Sequence, residues 1–535
     1  MDRTPGELMV MIASHLEAPL APYAAISRLW QDLIETGTFS KIHLKSGDGS
    51  RLKFDAAFKT TRRRRMLEVL EFEIELPCPQ EESLQGPREV ARNNVAFTEA
   101  NLALFQTFSV WDHDDTNVRF HLDIGVTLDP PNGSLAWYPH SLPYVDGNWI
   151  KYINFDDAIL NASGGLPLVP LVSGLDLMDC FRCYHPNLLA TLSGALPNLD
   201  YLGASFMSPP RRMPDLRQSI RSSMTDSLCA IAANLHLLTS LELHWKDGYP
   251  FNHNFPLESY IGLDSPHDRL SVAIRRICQL PTMRHVRLTG ECILSDQIFG
   301  GAADDSVWPS LETIEIGMAS MTPDGRWEDS NVLVSSTRWE WENGQMPIHE
   351  FRTHLCDATF VPFLTSLARA TARMPRLRQL NVKMVAMMIA EFYRPGLPEP
   401  KPNCRPNARS RFLDAHRDDS KWLIWLFEDG WRLPPVITAA LLDVEAAPGE
   451  LGAAGNYPKL NDNSEKNEIT ASPPLWEFPL IPGRQQPYTG SDPKKPGPMR
   501  ALYNNGNRTD YTVVYHDKKK SKSNKENFTL AERRD

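Results

Sequence analysis

The sequence predicts an α/β protein with an N-terminal helical unit, an irregular array of helix–strand units and a disordered C-terminal tail. Three observations support this fold class. Apolar residues recur at helical spacing within residues 1–44. An apolar step, L-x-x-L-x-φ with φ any apolar residue, recurs through residues 165–445, usually after a helical stripe. Prolines become frequent after about Ala446, where apolar residues thin out.

Length and composition restrict the class of protein. The chain has 535 residues, enough for several domains or one large array. An apolar content of 42% and a charged content of 23% are ordinary for a soluble globular protein. The net charge of -10 argues against nucleic acid as the main partner. No signal peptide or membrane-spanning run is evident, and the eight cysteines are scattered, so we expect reduced thiols in the cytoplasm and/or nucleus.

The N-terminal unit, residues 1–44, begins with a helix-start signal. Thr4 and Glu7 are spaced as a capping box, and Pro5 falls at the first helical position. Gly37 is predicted to end the second helix, and residues 39–44 are predicted to be extended. Two apolar stripes at helical spacing lie between these signals: Leu8, Met11, Ile12, His15 and Leu16, then Ile26, Leu29, Trp30 and Leu33.

Residues 45–164 are predicted to lead into the array. Strict alternation of apolar residues predicts a strand over residues 118–128, and an apolar step followed by alternation predicts one over residues 67–76. A helix is predicted around residues 97–111. The basic run Arg62–Arg65 precedes the first of these strands. We interpret it as a solvated guard of a sheet edge.

The repeated step predicts six strands in residues 165–445. A proline often separates each preceding helical stripe from its strand, and proline ends a helix and favours extended geometry before it. Such a unit cannot bury its apolar face alone, so stacking of neighbours is expected. The six steps are Val172-Leu175-Leu177, Leu199-Leu202-Ala204, Leu238-Leu241-Leu243, Met283-Val286-Leu288, Leu311-Ile314-Ile316 and Leu377-Leu380-Val382.

The spacing of these steps favours a degenerate leucine-rich-repeat-like array with long insertions. Successive steps are about 27 to 66 residues apart, whereas regular leucine-rich repeats have a period of roughly 20–29 residues. The alternative is a plain α/β domain in which the step arises by chance. The joint recurrence of stripe, proline and step favours the array.

Two insertions and a closing segment interrupt or end the array. The segments are His244–Gly262, which is rich in aromatics, Thr322–Ser330, and Ser420–Leu442, which is predicted to close the array. Residues 446–535 are predicted to be a mostly disordered tail rich in proline and lysine.

Surface aromatics in the first insertion are plausible interface anchors, although they can also pack an insertion onto the body. The candidate substrate-binding residues are Trp245, Tyr249, Phe251 and Phe255.

Candidate chemistry is sparse. Cys180, Cys183 and His185 resemble half of a zinc site, and His113 stands among the acidic residues 112–115, but incidental thiols and an acidic turn are the simpler interpretations. No common nucleotide, hydrolase or zinc-protease motif occurs. We therefore predict no catalytic residue, metal or cofactor. The lysine-rich segment 516–527 is either a nuclear import signal or a solubilising tail.

The first 44 residues resemble an F-box. The resemblance has one departure, Thr4, where the family usually has leucine. The segments RRRRMLEVLEFEIEL, TPDGRW and FEDGWRLP resemble a group of filamentous-fungal F-box proteins with a C-terminal domain of unknown function. The matches to the F-box pattern are Pro5, Glu7 and Leu8 at its opening, Ile12 and Leu16 in its middle, and Ile26, Ser27, Arg28, Trp30, Gln31, Leu33 and Ile34 at its end.

This resemblance implies a three-helix F-box and a non-catalytic role. The chain would be the substrate receptor of an SCF-type ubiquitin ligase, joined to a cullin through the SCF adaptor subunit and holding an unknown target protein on the array. A scaffold acting outside SCF, or an enzyme with a site in the array, are the alternatives. The implied adaptor-binding residues are Pro5, Leu8, Ile12, Leu16, Ile26, Leu29, Trp30, Leu33 and Ile34.

Overall fold

The structure of the chain is a computed structural model. Every described residue lies in the first of two units, Met1–Gly452 and Ala453–Asp535. The predicted disordered tail and most of the closing segment lie outside the described residues. Those described are 11–12, 15, 20–47, 49–77, 87–111, 118–128, 152–177, 183–209, 211, 213–247, 257–262, 267–300, 307–326, 329–330, 354–384, 387–393, 409–413 and 421–426.

Helices and strands alternate along the described residues, which makes the chain a mixed α/β protein. The helices are α1 (Ala21–Ala24), α2 (Arg28–Phe39), α3 (Ser50–Ala57), α4 (Thr61–Arg64), α5 (Pro87–Ser109), α6 (Asp157–Ser163), α7 (Asn187–Ala195), α8 (Pro214–Asn234), α9 (Arg269–Cys278) and α10 (Asp357–Ala372). The strands are β1 (Lys41–Lys45), β2 (Val69–Leu76), β3 (Phe120–Leu128), β4 (Tyr152–Ile153), β5 (Val172–Leu177), β6 (Cys183–Tyr184), β7 (Tyr201–Met207), β8 (Ser240–Lys246), β9 (His285–Cys292), β10 (Thr313–Met318), β11 (Asp329–Ser330), β12 (His354–Leu355), β13 (Gln379–Met384), β14 (Met387–Tyr393), β15 (Arg409–Leu413) and β16 (Lys421–Leu426).

One twelve-stranded sheet runs through the described residues. Its strand order is β1-β2-β3-β5-β7-β8-β9-β10-β13-β14-β16-β15. The first nine strands pair in parallel, and the last three pair antiparallel. Parallel pairing requires a crossover connection, and a helix precedes most of these strands, as the sequence pattern predicted.

The six predicted strands pair in chain order and in matched register. The central apolar residue of each step faces its counterpart on the neighbouring strand, and each is at most 2% exposed. A shift by one residue would turn every one of these side chains to the opposite face, so burial specifies the register. The aligned residues are Leu175, Leu202, Leu241, Val286, Ile314 and Leu380, and the row continues through Leu122 and Leu70 on β3 and β2.

The core lies between one face of this sheet and the helices. The predicted helical stripes supply its second layer and join the strand residues in one buried cluster. The other face of the sheet carries polar side chains at alternate positions. The buried helix residues include Leu188, Leu192, Leu228, Ile231, Leu270, Ile274, Leu364 and Leu367.

Two predicted boundaries were wrong. Gly37 does not end α2, which continues to Phe39, so Phe39 is helical rather than extended. Thr36 and Thr38 donate to the carbonyl oxygens of Asp32 and Ile34, each over 2.7 Å. These two side-chain hydrogen bonds lie in the last turns of α2, on either side of Gly37, and the helix continues through this glycine. The long helix α5 also begins earlier than predicted, at Pro87.

No helix of the described part of the chain is both long and apolar enough to span a bilayer.

Candidate functional site

The N-terminal unit divides its apolar residues into a small core and an exposed set. Trp30 and Ile34 are 7% and 6% exposed and form a buried cluster separate from the main core. Ser27 caps α2 by accepting a hydrogen bond from the backbone N–H of Trp30 over 3.3 Å. The partly buried residues packed on this cluster are Leu20, Tyr23, Ala24 and Leu33.

Among the described residues of this unit, four large apolar side chains face solvent. Met11 is 58% exposed, Ile12 46%, Ile26 52% and Leu29 43%. Leu29 precedes Trp30 in the same helix, yet the two side chains face different environments because adjacent helical residues are about 100° apart. We call Met11, Ile12, Ile26 and Leu29 the apolar patch.

The predicted adaptor-binding residues therefore divide into groups. Ile12, Ile26 and Leu29 belong to the apolar patch, whereas Trp30 and Ile34 are interior. The side chain of Leu33 is half-buried against the interior pair. The remaining three, Pro5, Leu8 and Leu16, lie outside the described residues.

The basic run Arg62–Arg65 contacts helix α2 instead of guarding a sheet edge, so the edge-guard interpretation was wrong. Arg62 pairs with Asp32 and Glu35, and Arg63 donates to Glu35 over 3.0 Å. The guanidinium of Arg63 also lies 4.7 Å from the ring centre of Phe39. These contacts attach the N-terminal helices to the segment that leads into β2.

Glu35 is the acidic centre of this attachment. Its side chain is buried, and it accepts hydrogen bonds from Arg63 and from Gln31, the latter over 3.1 Å. Burial by itself would raise the pKa of Glu35. The hydrogen bonds from Gln31 and Arg63 and the positive charge of Arg62 outweigh burial and hold this pKa below its ordinary value.

The candidate substrate-binding aromatics are only partly described. Trp245 lies in β8, is 5% exposed, and donates from Nε1 to Ser208 Oγ over 2.7 Å. It is therefore a core residue and offers no exposed anchor, in agreement with the alternative that it packs the insertion onto the body. Tyr249, Phe251 and Phe255 lie outside the described residues.

Buried ion pairs tie both ends of the aromatic insertion to helix α8. Asp247 follows β8, and Glu258 and Tyr260 stand where the described chain resumes. Arg217 of α8 donates to Asp247 Oδ1 over 2.7 Å and to the Tyr260 hydroxyl over 2.8 Å, and it also pairs with Glu258. Burial alone would lower the pKa of Arg217, but the charge of Asp247 reverses the shift and keeps the guanidinium charged.

A second buried pair lies one turn further along α8. Arg221 donates to Asp268, the residue that caps α9, over 2.9 Å and to the carbonyl oxygen of Ile293 over 2.8 Å. Its guanidinium carbon is 4.9 Å from the ring centre of Tyr260. The segment 257–262 is thus held on α8 by two arginines.

The two insertions meet beyond the C-terminal ends of β8 to β10. The backbone N–H of Tyr260 donates to the carbonyl oxygen of Pro323 over 2.7 Å. Tyr260, Ile293, Ala319 and Met321 form a small buried cluster, with Leu257 against it. The C-terminal ends of parallel strands are a common place for ligand sites, so this edge is a candidate recognition surface.

Two sequence motifs lie wholly or partly outside the described residues. The acidic residues 112–115 and Cys180 lie outside the described residues. His185 contacts the ring of Tyr152 edge-on at 5.9 Å, and its Nδ1 lies 3.3 Å from the backbone N–H of Asn187. Burial lowers the pKa of His185, which favours a neutral imidazole.

The open face of the sheet, which lies opposite the helices, carries paired charges. Arg287 on β9 donates to Glu242 on β8 over 2.6 Å and to Glu315 on β10 over 3.2 Å. Lys383 on β13 donates to Glu315 over 2.7 Å. Charges of opposite sign thus alternate across neighbouring strands, an arrangement that cross-strand pairing favours.

Comparison with known proteins adds no assignment. No protein-family model matches the chain, and no curated protein matches it.

Proposed function

We propose that the chain is an F-box substrate receptor of an SCF-type ubiquitin ligase. Residues 1–44 bind the adaptor subunit and through it a cullin, and a leucine-rich-repeat-like body holds a target protein. The chain performs no chemistry itself, because ubiquitin transfer belongs to other subunits. Its contribution is to raise the local concentration of the target near them.

The apolar patch is the observation that carries this proposal. Its four side chains are close to half exposed or more, while Trp30 and Ile34 already fill the interior of the same unit. Large apolar side chains that stay exposed around a filled interior mark a candidate protein interaction site. If another protein covers this surface, the N-terminal unit needs more apolar residues than its own small core buries, as its sequence has.

The body supports the receptor proposal in a different way. The six strands that carry the apolar step pair in parallel and in chain order, and the step recurs at matched register positions. This is the arrangement that stacked helix–strand repeats produce. The insertions joined through Tyr260 and Pro323 then form the proposed target-binding edge.

The apolar patch gives a direct test. Ile26→Ser with Leu29→Ser removes two exposed side chains and leaves Trp30 and Ile34 in place. The matched control is Leu52→Ser with Leu237→Ser, two leucines that are 72% and 44% exposed on other parts of the chain. Purified adaptor should be captured by the wild type and by the control. Capture by the patch variant should weaken by about tenfold or more, as expected for central apolar anchors.

The same experiment distinguishes the alternatives. A wild-type chain that does not bind the adaptor contradicts the F-box assignment. Binding of the adaptor without co-purification of a cullin supports a scaffold that acts outside SCF. Equal capture by the patch variant and the control shows that another surface makes the contact.

A further inference from the structure

Three metal-ligating side chains meet on the open face of the sheet between β3 and β5. They are His121 and Asp123 on β3 and Asp176 on β5, and one donor atom from each lies within 4.8 Å of the other two. His121 Nε2 is 2.9 Å from Asp123 Oδ1. Asp123 and Asp176 are register partners, so the two carboxylates stand directly opposite each other.

A glycine positions the imidazole of His121. Gly174 is the register partner of both His121 and Tyr201, and the two rings approach to 5.1 Å between centres. A Cβ at Gly174 would lie 2.1 Å from His121 Nδ1. Only glycine lets this ring lie over the neighbouring strand, which leaves Nε2 as the nitrogen that faces Asp123.

A second glycine makes room for the Tyr201 hydroxyl beside Asp176. Gly203 on β7 is the register partner of Asp176, and a Cβ there would lie 2.7 Å from the Tyr201 hydroxyl oxygen and 3.2 Å from the Asp176 carboxylate. Glycine inside a strand marks a bulge or a place where a ligand or another backbone approaches closely, and the pairing of β3 with β5 shifts register between Phe120 and His121. Two such glycines flank the same carboxylate and histidine group.

The charge around this group is negative. Like charges directly opposite across two strands are unfavourable, and Asp123 faces Asp176 in this way. Glu242 stands across Gly203 from Asp176. Lys41 on β1 pairs with Glu71, and Arg287 on β9 pairs with Glu242 and Glu315.

We propose that His121, Asp123 and Asp176 bind a divalent transition-metal cation of the Zn²⁺ class. One imidazole nitrogen and two carboxylate oxygens suit zinc, whose fourth position would stay open to water or to a partner's side chain. The cation would offset the repulsion between the two carboxylates. It would also join β3 to β5, the junction between the leading segment and the six predicted strands.

The test measures metal binding by the full chain. After treatment with chelator, the chain is titrated with Co²⁺, whose visible bands report ligand geometry and whose thiolate charge-transfer bands reveal binding by cysteine. Zn²⁺ is then added in competition. The wild type should bind Co²⁺ without thiolate bands and release it to Zn²⁺. His121→Gln and Asp176→Asn should each weaken this binding by about tenfold or more.

A second His–carboxylate pair provides the control. His43 Nε2 lies 2.7 Å from Glu73 Oε2 on the same sheet, where Lys45 also pairs with Glu73. His43→Gln with Glu73→Gln should leave Co²⁺ binding unchanged. Zinc should also raise the thermal midpoint of the wild type and of this control, but not that of Asp176→Asn. No binding by the wild type, or unchanged binding by both cluster variants, overturns the proposal.

Discussion

Arg217 Nη2 donates to Asp247 Oδ1 over 2.7 Å, and both side chains are almost fully buried. This contact joins helix α8 to the end of β8 below the aromatic insertion. Removing one partner of a buried pair leaves an uncompensated charge, which typically costs about 3–5 kcal/mol. Arg217→Met should therefore lower the free energy of unfolding by about that amount in urea denaturation.

An exposed pair on the same helix supplies the comparison for this prediction. Asp226 of α8 and Arg269 of α9 are 3.0 Å apart, with side chains 66% and 64% exposed. Exposed pairs contribute about 0–1 kcal/mol, so Arg269→Met should have little effect. If the two substitutions lower the free energy of unfolding equally, the buried Arg217 network stabilises the fold no more than an exposed ion pair does.

The attachment of α2 is predicted to weaken in acid. The pKa of Glu35 is held below its ordinary value of 4.5, so the folded state binds this proton less readily than the unfolded chain does. The resulting stability is present above pH 4.5 and is lost as the pH falls through the lowered folded-state pKa. Glu35→Gln should remove this part of the pH dependence. Urea midpoints measured at about pH 7 and in steps through the acid range test it, and parallel profiles for the two proteins would contradict it.

Gly290 is predicted to be required by both backbone conformation and space. Its φ is +91°, and a Cβ there would lie 2.2 Å from the carbonyl oxygen of Trp245 on β8. Gly164 has a similar φ of +77°, but a Cβ there would have no neighbouring atom within 4 Å. Gly164→Ala should cost about 1 kcal/mol from backbone strain alone. Gly290→Ala should cost clearly more, and equal losses in unfolding free energy would rule out the steric contribution.

The strand ladder was predictable from the sequence, because one apolar step recurs and alternation of period two fixes which face is buried. Leu241 and Val286 occupy the same position of that step and pair in the sheet. The contact between Tyr260 and Pro323 was not predictable, because it joins two insertions without periodicity. The group of His121, Asp123 and Asp176 was missed for a similar reason, since Asp123 and Asp176 come together only through strand pairing.

Neighbouring residues of one helical stripe are the hardest to assign from sequence. Trp30 and Leu29 both belong to the predicted adaptor-binding set, but the first is 7% exposed and the second 43% exposed. Apolar spacing alone marks a stripe without saying which part of it contacts the chain's own core. This distinction changes how a loss of adaptor binding should be interpreted.

Trp30→Ala is therefore predicted to unfold the N-terminal unit, whereas Leu29→Ala should leave it folded. Truncating a buried tryptophan typically costs about 3–5 kcal/mol, while exposed substitutions stay within about 0.5 kcal/mol. Limited proteolysis with mass-spectrometric mapping should show new cleavage within Arg28–Phe39 in Trp30→Ala only. Protection of this helix in both variants would contradict an interior role for Trp30. If the helix stays protected, a loss of adaptor capture by Trp30→Ala reports direct contact between Trp30 and the adaptor. If the helix is cleaved, the loss of capture is a consequence of unfolding.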